Sequence, residues 1–321
     1  MKNLVRSVQE SLGELLRLPD GYEIALGVGG STAFWDVAAF SLVRHRAAHG
    51  IFGEFGNSFF NETDAADFLA PSIAVRAEPG SCAVPSGSED ADVLAWPHNE
   101  TSTGVLAPVQ RVSAEALIVV DATSAAGGVE VDLAQTDVYY FAPQKCFAAD
   151  GGLWFAALSP RAVERARELE SSRWIPRFLS LSTAIGNSRA NQTLNTPAIA
   201  TLELMDAQLE FLLGLGGLTA AAERTRESSS RLYSWAQERD YASPFVTDPA
   251  LRSPVVVTID VDGVDVAPIK AALRENGIVD VDAYRKLGRN QLRVATFPAV
   301  DPDDVRALTD CIDWVVERLR D

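Results

Sequence analysis

The segment ALIVVDATSAAGG at 116–128 and the segment YYFAPQKCFAADGGLW at 139–154 decide the fold of this chain. Each is built on an apolar run of strand length, at 117–121 and 137–141, and each then turns to small and polar residues. Further apolar runs lie at 22–28, 93–96 and 153–158, several with helix-like or loop-like stretches between them. This rhythm predicts an α/β fold with a mainly parallel central sheet.

The rest of the chain indicates a second, smaller unit. Apolar residues at helical spacing predict an opening helix, and this pattern stops at the Leu-Pro-Asp-Gly of 18–21. Beyond Pro197 the pattern is long and helical, and it then changes to VVVTIDV at 255–261, a helix near 267–276 and a closing helix at 303–320. With 321 residues, 47% of them hydrophobic, the chain suits two domains. We predict a large domain at 1–214 and a smaller C-terminal α+β domain at 215–321.

Composition excludes several classes of partner. A formal net charge of −16 disfavours nucleic acid and anionic lipid, although loop amides and a few arginines can still bind a small anion. Cys82, Cys146 and Cys311 are too few and too far apart for a disulfide framework or a zinc knuckle, so no metal is predicted. Residues 1–18 lack an uninterrupted apolar stretch, which argues against a signal peptide or membrane span. We expect a soluble, cytoplasmic protein.

Lys145 and Asp121 are the first candidates for chemistry, because each follows an apolar strand-like run. A desolvated lysine favours its neutral amine, which can form a Schiff base with an aldehyde. A carboxylate at the carboxyl end of a strand can keep a pyridine nitrogen protonated, and the two residues together would supply an electron sink and a base. The alternatives are a solvated surface lysine and an aspartate that only caps the turn before Gly127.

A glycine cluster at 27–30, followed by Ser31 and Thr32, lies between a predicted strand and the helix that carries Phe34 and Val37. Its amides and hydroxyls could hold a phosphate group, since a helix N-terminus attracts anions. Taken alone, the cluster resembles many tight turns.

Five motifs in sequence order are more specific than any one of these features. They are GVGGSTAFWD, WPHNETSTGV, VVDATSAAGG, YYFAPQKCFAADGGLW and NQTLNTPAIA. In order and spacing they resemble the actinobacterial branch of the phosphoserine aminotransferases, and the similarity continues through YRKLGRNQLRVATFPAV. The resemblance covers nearly all of the chain.

The resemblance implies a class V aminotransferase with the PLP-dependent transferase fold type I, which is aspartate-aminotransferase-like. It implies pyridoxal 5′-phosphate as cofactor and a homodimer with active sites at the subunit interface. The implied reaction is reversible amino transfer between glutamate and 3-phosphohydroxypyruvate, which gives 2-oxoglutarate and O-phosphoserine in serine biosynthesis. A place in pyridoxine biosynthesis is implied as well.

The resemblance also assigns roles to individual residues. Lys145 would bind the cofactor covalently and move the substrate's α-proton, while Asp121 would pair with the pyridinium nitrogen. Phe55 would stack on the pyridine face, Thr101 would meet the phenolic oxygen, and Arg293 would bind a substrate carboxylate. The residues implied to contact the cofactor phosphate are Gly30, Ser31, Thr32 and Gln144, with Asn195 and Thr196 from the neighbouring subunit. The alternatives are core packing for Phe55, a capping role for Thr101 and a solvated Arg293.

One expected feature of the family does not match. Members usually begin with several dozen further residues, including a Gly-Pro-Ser-Lys-like stretch and a His-Arg pair that helps to bind the substrate phosphate, and this chain starts after them. Arg44-His45-Arg46 sits on a different motif, at a predicted helix end, so that role is not transferred to it. The residues that bind a substrate phosphate therefore stay unassigned.

Two alternatives remain, and a third is disfavoured by the sequence. A class V aminotransferase of the serine or alanine:glyoxylate type would need no site for a substrate phosphate. A truncated homologue could bind the cofactor but be catalytically impaired. A cysteine desulfurase needs a cysteine on a mobile loop, and none of the three cysteines lies in a matching motif.

Overall fold

The computed structural model describes residues 1–87 and 90–320. The strands of the large unit are β1 (Glu23–Val28), β2 (Ala47–Ile51), β3 (Ile73–Arg76), β4 (Val93–Pro97), β5 (Asn99–Glu100), β6 (Val105–Leu106), β7 (Leu117–Asp121), β8 (Val138–Phe141) and β9 (Leu153–Leu158). In these described ranges seven strands form the central sheet, in the order β1-β9-β8-β7-β4-β2-β3, and β5 pairs with β6. The pairings make β9 antiparallel to its neighbours, and the other paired strands of this sheet run parallel.

The central sheet is covered by helices on both faces. The helices are α1 (Lys2–Leu15), α2 (Gly30–Ser41), α3 (Glu54–Asp64), α4 (Pro160–Ser172), α5 (Leu181–Arg189), α6 (Ile199–Gly214) and α7 (Gly217–Gln237). In β7, Ile118 and Val120 join the core beneath α1 and α6, whereas Leu117 and Val119 join the core beneath α2, α4 and α5. A strand buried on both faces needs a continuous apolar run, which explains the sequence of β7. The predicted α/β class with a mainly parallel sheet is confirmed.

A three-stranded antiparallel sheet forms the C-terminal unit. Its elements are β10 (Ala242–Pro244), β11 (Val256–Val261), α8 (Val266–Glu275), β12 (Gln291–Ala295) and α9 (Pro302–Arg320). Helix α7 joins two cores, because Leu218 packs in the core of the central sheet and Leu232 packs in the core of the small sheet. The two sheets also meet at the segment that follows β5, where Thr258 Oγ1 donates to Thr103 O at 2.9 Å.

Among the described residues, no helix combines the length and the apolar character that crossing a bilayer requires.

Candidate active site

A cavity of about 280 Å³ opens at the carboxyl edge of the central sheet. The segments that line it follow strands β1, β2, β4, β7 and β8, which are mutually parallel, so five chain segments converge on one point. The lining residues are Gly29, Gly30, Ser31, Thr32, Trp35, Phe55, Asn99, Thr101, Asp121, Thr123, Gln144, Lys145 and Gly152. The structure therefore brings together eight of the eleven residues predicted from the sequence.

Lys145 lies on the loop between β8 and β9 and is half-buried. Burial lowers the pKa of its amine, and the positive charge of Arg293 lowers that pKa further. Both effects favour the neutral amine, which is the nucleophilic form. The environment of Lys145 therefore suits Schiff-base chemistry better than that of a solvated lysine.

Asp121 ends β7 at the floor of the same cavity. Its Oδ1 accepts hydrogen bonds from Thr123 N at 2.9 Å and Thr123 Oγ1 at 2.5 Å. Its Oδ2 accepts one from the hydroxyl of Tyr140 at 2.9 Å, and Trp35 Nε1 donates to that hydroxyl at 2.8 Å. Burial raises the pKa of Asp121, while these donors oppose the increase by stabilising the carboxylate.

The turn between β1 and α2 has the form of an anion site. Gly29 has φ +109°, a left-handed conformation that favours glycine, and a Cβ there would lie 2.5 Å from the Cβ of Ala33. Helix α2 begins at Gly30, so its first backbone N–H groups face the cavity that Ser31 and Thr32 line. The Ser31 hydroxyl is 2.7 Å from the Thr123 hydroxyl, which ties this turn to the loop of Asp121.

Thr101 and Phe55 lie on two further walls. Thr101 is buried, and its hydroxyl donates to Ser124 Oγ at 2.7 Å. The Asn99 side-chain amide donates to the same Ser124 oxygen at 2.9 Å, while its buried Oδ1 has no hydrogen-bond partner among the described residues. The Phe55 ring is half-buried and meets the ring of Tyr284 edge-on, with centroids 5.9 Å apart.

Arg293 lies beside the site and does not line the cavity. Its Nη1 donates to Thr101 O at 3.2 Å, and its guanidinium lies 5.6 Å from the centre of the Tyr284 ring. It lines a neighbouring cavity of about 550 Å³. Asn195 and Thr196 are exposed on the segment before α6 and do not line the cavity of their own chain.

Several residues of the site were missed by sequence reasoning. Trp35, Asn99 and Thr123 line the cavity, and Tyr140 and Ser124 hold residues that do. Asn99 stands in the quoted WPHNETSTGV motif and could have been chosen as a polar neighbour of Thr101. Tyr140 also stands in a quoted motif, YYFAPQKCFAADGGLW, but its position in a buried apolar strand makes it look like a core residue. Cys146, beside Lys145, is buried, and burial raises the pKa of its thiol, which disfavours a nucleophilic role.

The family of the chain follows from comparison with known proteins. The model of the family described as aminotransferase class-V matches residues 86–282, which is more than half of the sequence. The chain belongs to the class-V aminotransferases, and is therefore an enzyme of the transaminase type.

Individual relatives indicate the kind of class-V aminotransferase that this chain resembles. The phosphoserine aminotransferase of Rhodococcus opacus (strain B4) is 55% identical over 99% of this chain and 87% of its own length. A protein of Mycobacterium leprae (strain TN), provisionally named a phosphoserine aminotransferase, is 58% identical over 99% of this chain and 86% of its own length. The crystal structure of the phosphoserine aminotransferase SerC from Cytophaga hutchinsonii superposes with a TM-score of 0.90 at 24% identity, covering 98% of this chain and 88% of that chain. The predicted fold and family are confirmed.

Proposed function

We propose that this chain transfers an amino group reversibly between glutamate and 3-phosphohydroxypyruvate, with pyridoxal 5′-phosphate as cofactor. One observation carries the chemistry: an amine with a lowered pKa, a buried carboxylate and a helix N-terminus line one cavity. The choice of substrates rests on the names of the sequence relatives described above, phosphoserine aminotransferase in Rhodococcus opacus and, provisionally, in Mycobacterium leprae.

The residues present fit the cofactor. Gly30, Ser31 and Thr32 at the start of α2, with Gln144 opposite, would hold its phosphate, since helix N-termini and hydroxyls bind such anions. The orphaned Oδ1 of buried Asn99 is a further polar atom in this lining. When bound, the cofactor supplies the electron sink that stabilises charge at a substrate's α-carbon.

The chain's own residues supply the acid and base. Lys145 would attach the cofactor covalently, and the substrate's amino group would displace it. The released neutral amine would then accept and return the substrate's α-proton. Asp121 would accept a hydrogen bond from a protonated ring nitrogen, because Thr123 and Tyr140 hold its carboxylate in place. Phe55 would contact a ring face and Thr101 a ring oxygen.

Arg293 would bind the carboxylate that both substrates share. Its planar guanidinium suits a bidentate contact, and the Tyr284 ring beside it limits the directions in which it can turn. In a chain of net charge −16, such a local cation is needed to attract an anionic substrate.

A homodimer would complete the phosphate site, with Asn195 and Thr196 of one subunit reaching the cavity of the other. Both are exposed, and the α6 helix that follows presents exposed apolar side chains at Ile199, Leu204 and Phe211. Size-exclusion chromatography with light scattering tests this proposal, and a monomer that binds the cofactor fully would contradict it. We further propose a cytoplasmic enzyme of serine and pyridoxine biosynthesis, with the chain divided at 214/215, just ahead of helix α7.

The decisive experiment combines one assay with one variant. The wild-type chain should form O-phosphoserine from glutamate and 3-phosphohydroxypyruvate, and Lys145→Ala should lose both turnover and cofactor trapped by borohydride. Lys2→Ala is the matched control, because Lys2 is exposed on helix α1 and does not line the cavity. Preference for unphosphorylated keto acids would favour the serine or alanine:glyoxylate type. A trapped cofactor without turnover would favour an impaired homologue.

A further inference from the structure

Glu100 is a fully buried carboxylate next to Thr101 in the chain, and the mechanism above does not use it. Its Oε2 accepts hydrogen bonds from the backbone N–H groups of Phe55 at 3.1 Å and Gly56 at 3.0 Å. Its Oε1 accepts from Ser102 N at 3.1 Å and from Ser102 Oγ at 2.6 Å. All four groups donate hydrogen bonds to the Glu100 carboxylate.

The first two of these donors belong to the first turn of α3, which begins at Glu54. Backbone N–H groups in the first turn of a helix have no partner within the helix, so an external acceptor must satisfy them. Gly53, the residue before α3, has no side chain to fill this role, and a Cβ there would lie 2.3 Å from Glu100 Cγ. The glycine therefore admits the distant carboxylate, which takes the place of a local cap.

The hydrogen-bond pattern suits a carboxylate better than an amide. An amide of the same shape has one accepting oxygen and one donating nitrogen. In either orientation a glutamine at position 100 would direct its NH₂ group at N–H or O–H donors, on the side of α3 or on the side of Ser102. One side of the network would lose its acceptor.

We propose that Glu100 is a positioning residue, which fixes the first turn of α3 and through it the ring of Phe55 against the bound cofactor. Phe55 is the residue of that turn that lines the cavity, and its backbone N–H is one of the four donors. The inference rests on the proposed function only in taking Phe55 as the residue that contacts the cofactor ring.

The test is a titration with pyridoxal 5′-phosphate, read by the induced circular dichroism of the cofactor band and by the Kd. Glu100→Gln should raise the Kd by about two- to tenfold, the value of an aromatic contact, and weaken the induced signal. In a Phe55→Leu background the same substitution should have little further effect, because its route of action is already lost. Full additivity of the two substitutions would overturn the proposal, as would an unchanged Kd and signal in Glu100→Gln.

Asp137→Asn is the matched control. Asp137 is also fully buried and accepts hydrogen bonds from Ile118 N and Ser159 Oγ. It differs from Glu100 in pairing with Arg111 as well, and it does not line the cavity. The Asp137→Asn substitution should lower the Tm without changing the induced signal. If Asp137→Asn lost as much cofactor affinity as Glu100→Gln, Glu100 would act only through general stability. This experiment uses no keto acid. A chain that binds the cofactor but does not accept 3-phosphohydroxypyruvate would therefore refute only the proposed substrate. A wild-type chain that binds no cofactor overturns both proposals.

Discussion

The hydroxyl of Tyr140 donates to Asp121 Oδ2 at 2.9 Å and accepts from Trp35 Nε1 at 2.8 Å. A polar chain therefore runs from α2 through β8 to the end of β7, inside an otherwise apolar layer. Buried polar groups are costly unless they are satisfied, so the three residues stabilise the fold only as a set.

Removing the hydroxyl should expose this dependence. Tyr140→Phe leaves the Trp35 N–H without its partner and takes one donor from Asp121, so we expect a loss of about 1–3 kcal/mol in the free energy of unfolding. The pKa of Asp121 should rise further, because one interaction that stabilises its charged form is gone. Urea unfolding measures the first effect, with Tyr22→Phe as control, since the Tyr22 hydroxyl binds Thr136 O. Equal losses in both variants would contradict the special role of Tyr140.

Arg293 should set the pH at which Lys145 reacts. Its positive charge is the second cause of the lowered pKa of Lys145, after burial. Arg293→Gln removes that charge, so the pKa of Lys145 should rise and the pH dependence of cofactor capture should move to higher pH. Arg293→Lys keeps the charge and should leave the midpoint near that of the wild type. Stopped-flow absorbance across a pH series provides the measurement, and an unmoved midpoint in Arg293→Gln would refute the coupling.

Two buried histidines should weaken the protein in acid. Burial lowers the pKa of His49 to about 3 and of His98 to about 4, whereas an unfolded histidine titrates near 6.5. Below about pH 6.5 the unfolded chain therefore binds more protons, and each histidine should cost about 1.4 kcal/mol of stability for every further pH unit of acidification.

Comparison with a variant isolates the histidine contribution from that of the carboxylates. His98→Gln removes one of the two groups, so its unfolding free energy should fall less steeply between pH 6.5 and about pH 4. Urea titrations at several pH values give the slope of unfolding free energy against pH for the wild type and for His98→Gln. Parallel slopes would show that His98 does not control this dependence.

Gly53 should be intolerant of any side chain. Its φ of 177° is ordinary extended backbone, so the constraint is contact with Glu100 and not strain. Gly53→Ala should lower the free energy of unfolding by about 1–3 kcal/mol, the usual cost of overpacking. Gly186→Ala, in helix α5 with no atom within 4 Å of the added Cβ, should be neutral or slightly stabilising. Thermal unfolding of both variants decides the matter.

Much of the sheet could be predicted from the sequence, because strands buried on both faces are continuous apolar runs. Strands β2 and β3 were missed for physical reasons. The AAHGI of β2 lacks the β-branched density of a typical strand, and Gly50 is kept small because a Cβ there would lie 2.3 Å from Ala83 O. Strand β3 has only 4 residues, none of them fully buried. These strands are set by tertiary contacts and not by local pattern.

The residues of the site, like the strands, fall into those that could be predicted from the sequence and those that could not. Lys145 and Asp121 could be found from their positions after apolar runs, and the resemblance added Phe55 and Thr101. The residues that hold these groups could not be found, since Tyr140 looks like core and Glu100 looks like a surface acid until the fold closes around them. Tyr140 and Glu100 make hydrogen bonds to residues distant in the chain, Asp121 and Phe55, and such bonds leave no periodic trace in the sequence. The roles given to the site residues and the boundary at 214/215 stay predictions.

The contacts of the small sheet with residues 101–103 have one more consequence. Arg293 of β12 donates a hydrogen bond to the carbonyl oxygen of Thr101, and Thr258 of β11 donates one to the carbonyl oxygen of Thr103. A ligand that draws the Arg293 guanidinium toward itself must either weaken its hydrogen bond to Thr101 or move the main chain at residues 101–103. Binding of a ligand at Arg293 would then change the position of the Thr101 hydroxyl, which lines the cofactor cavity.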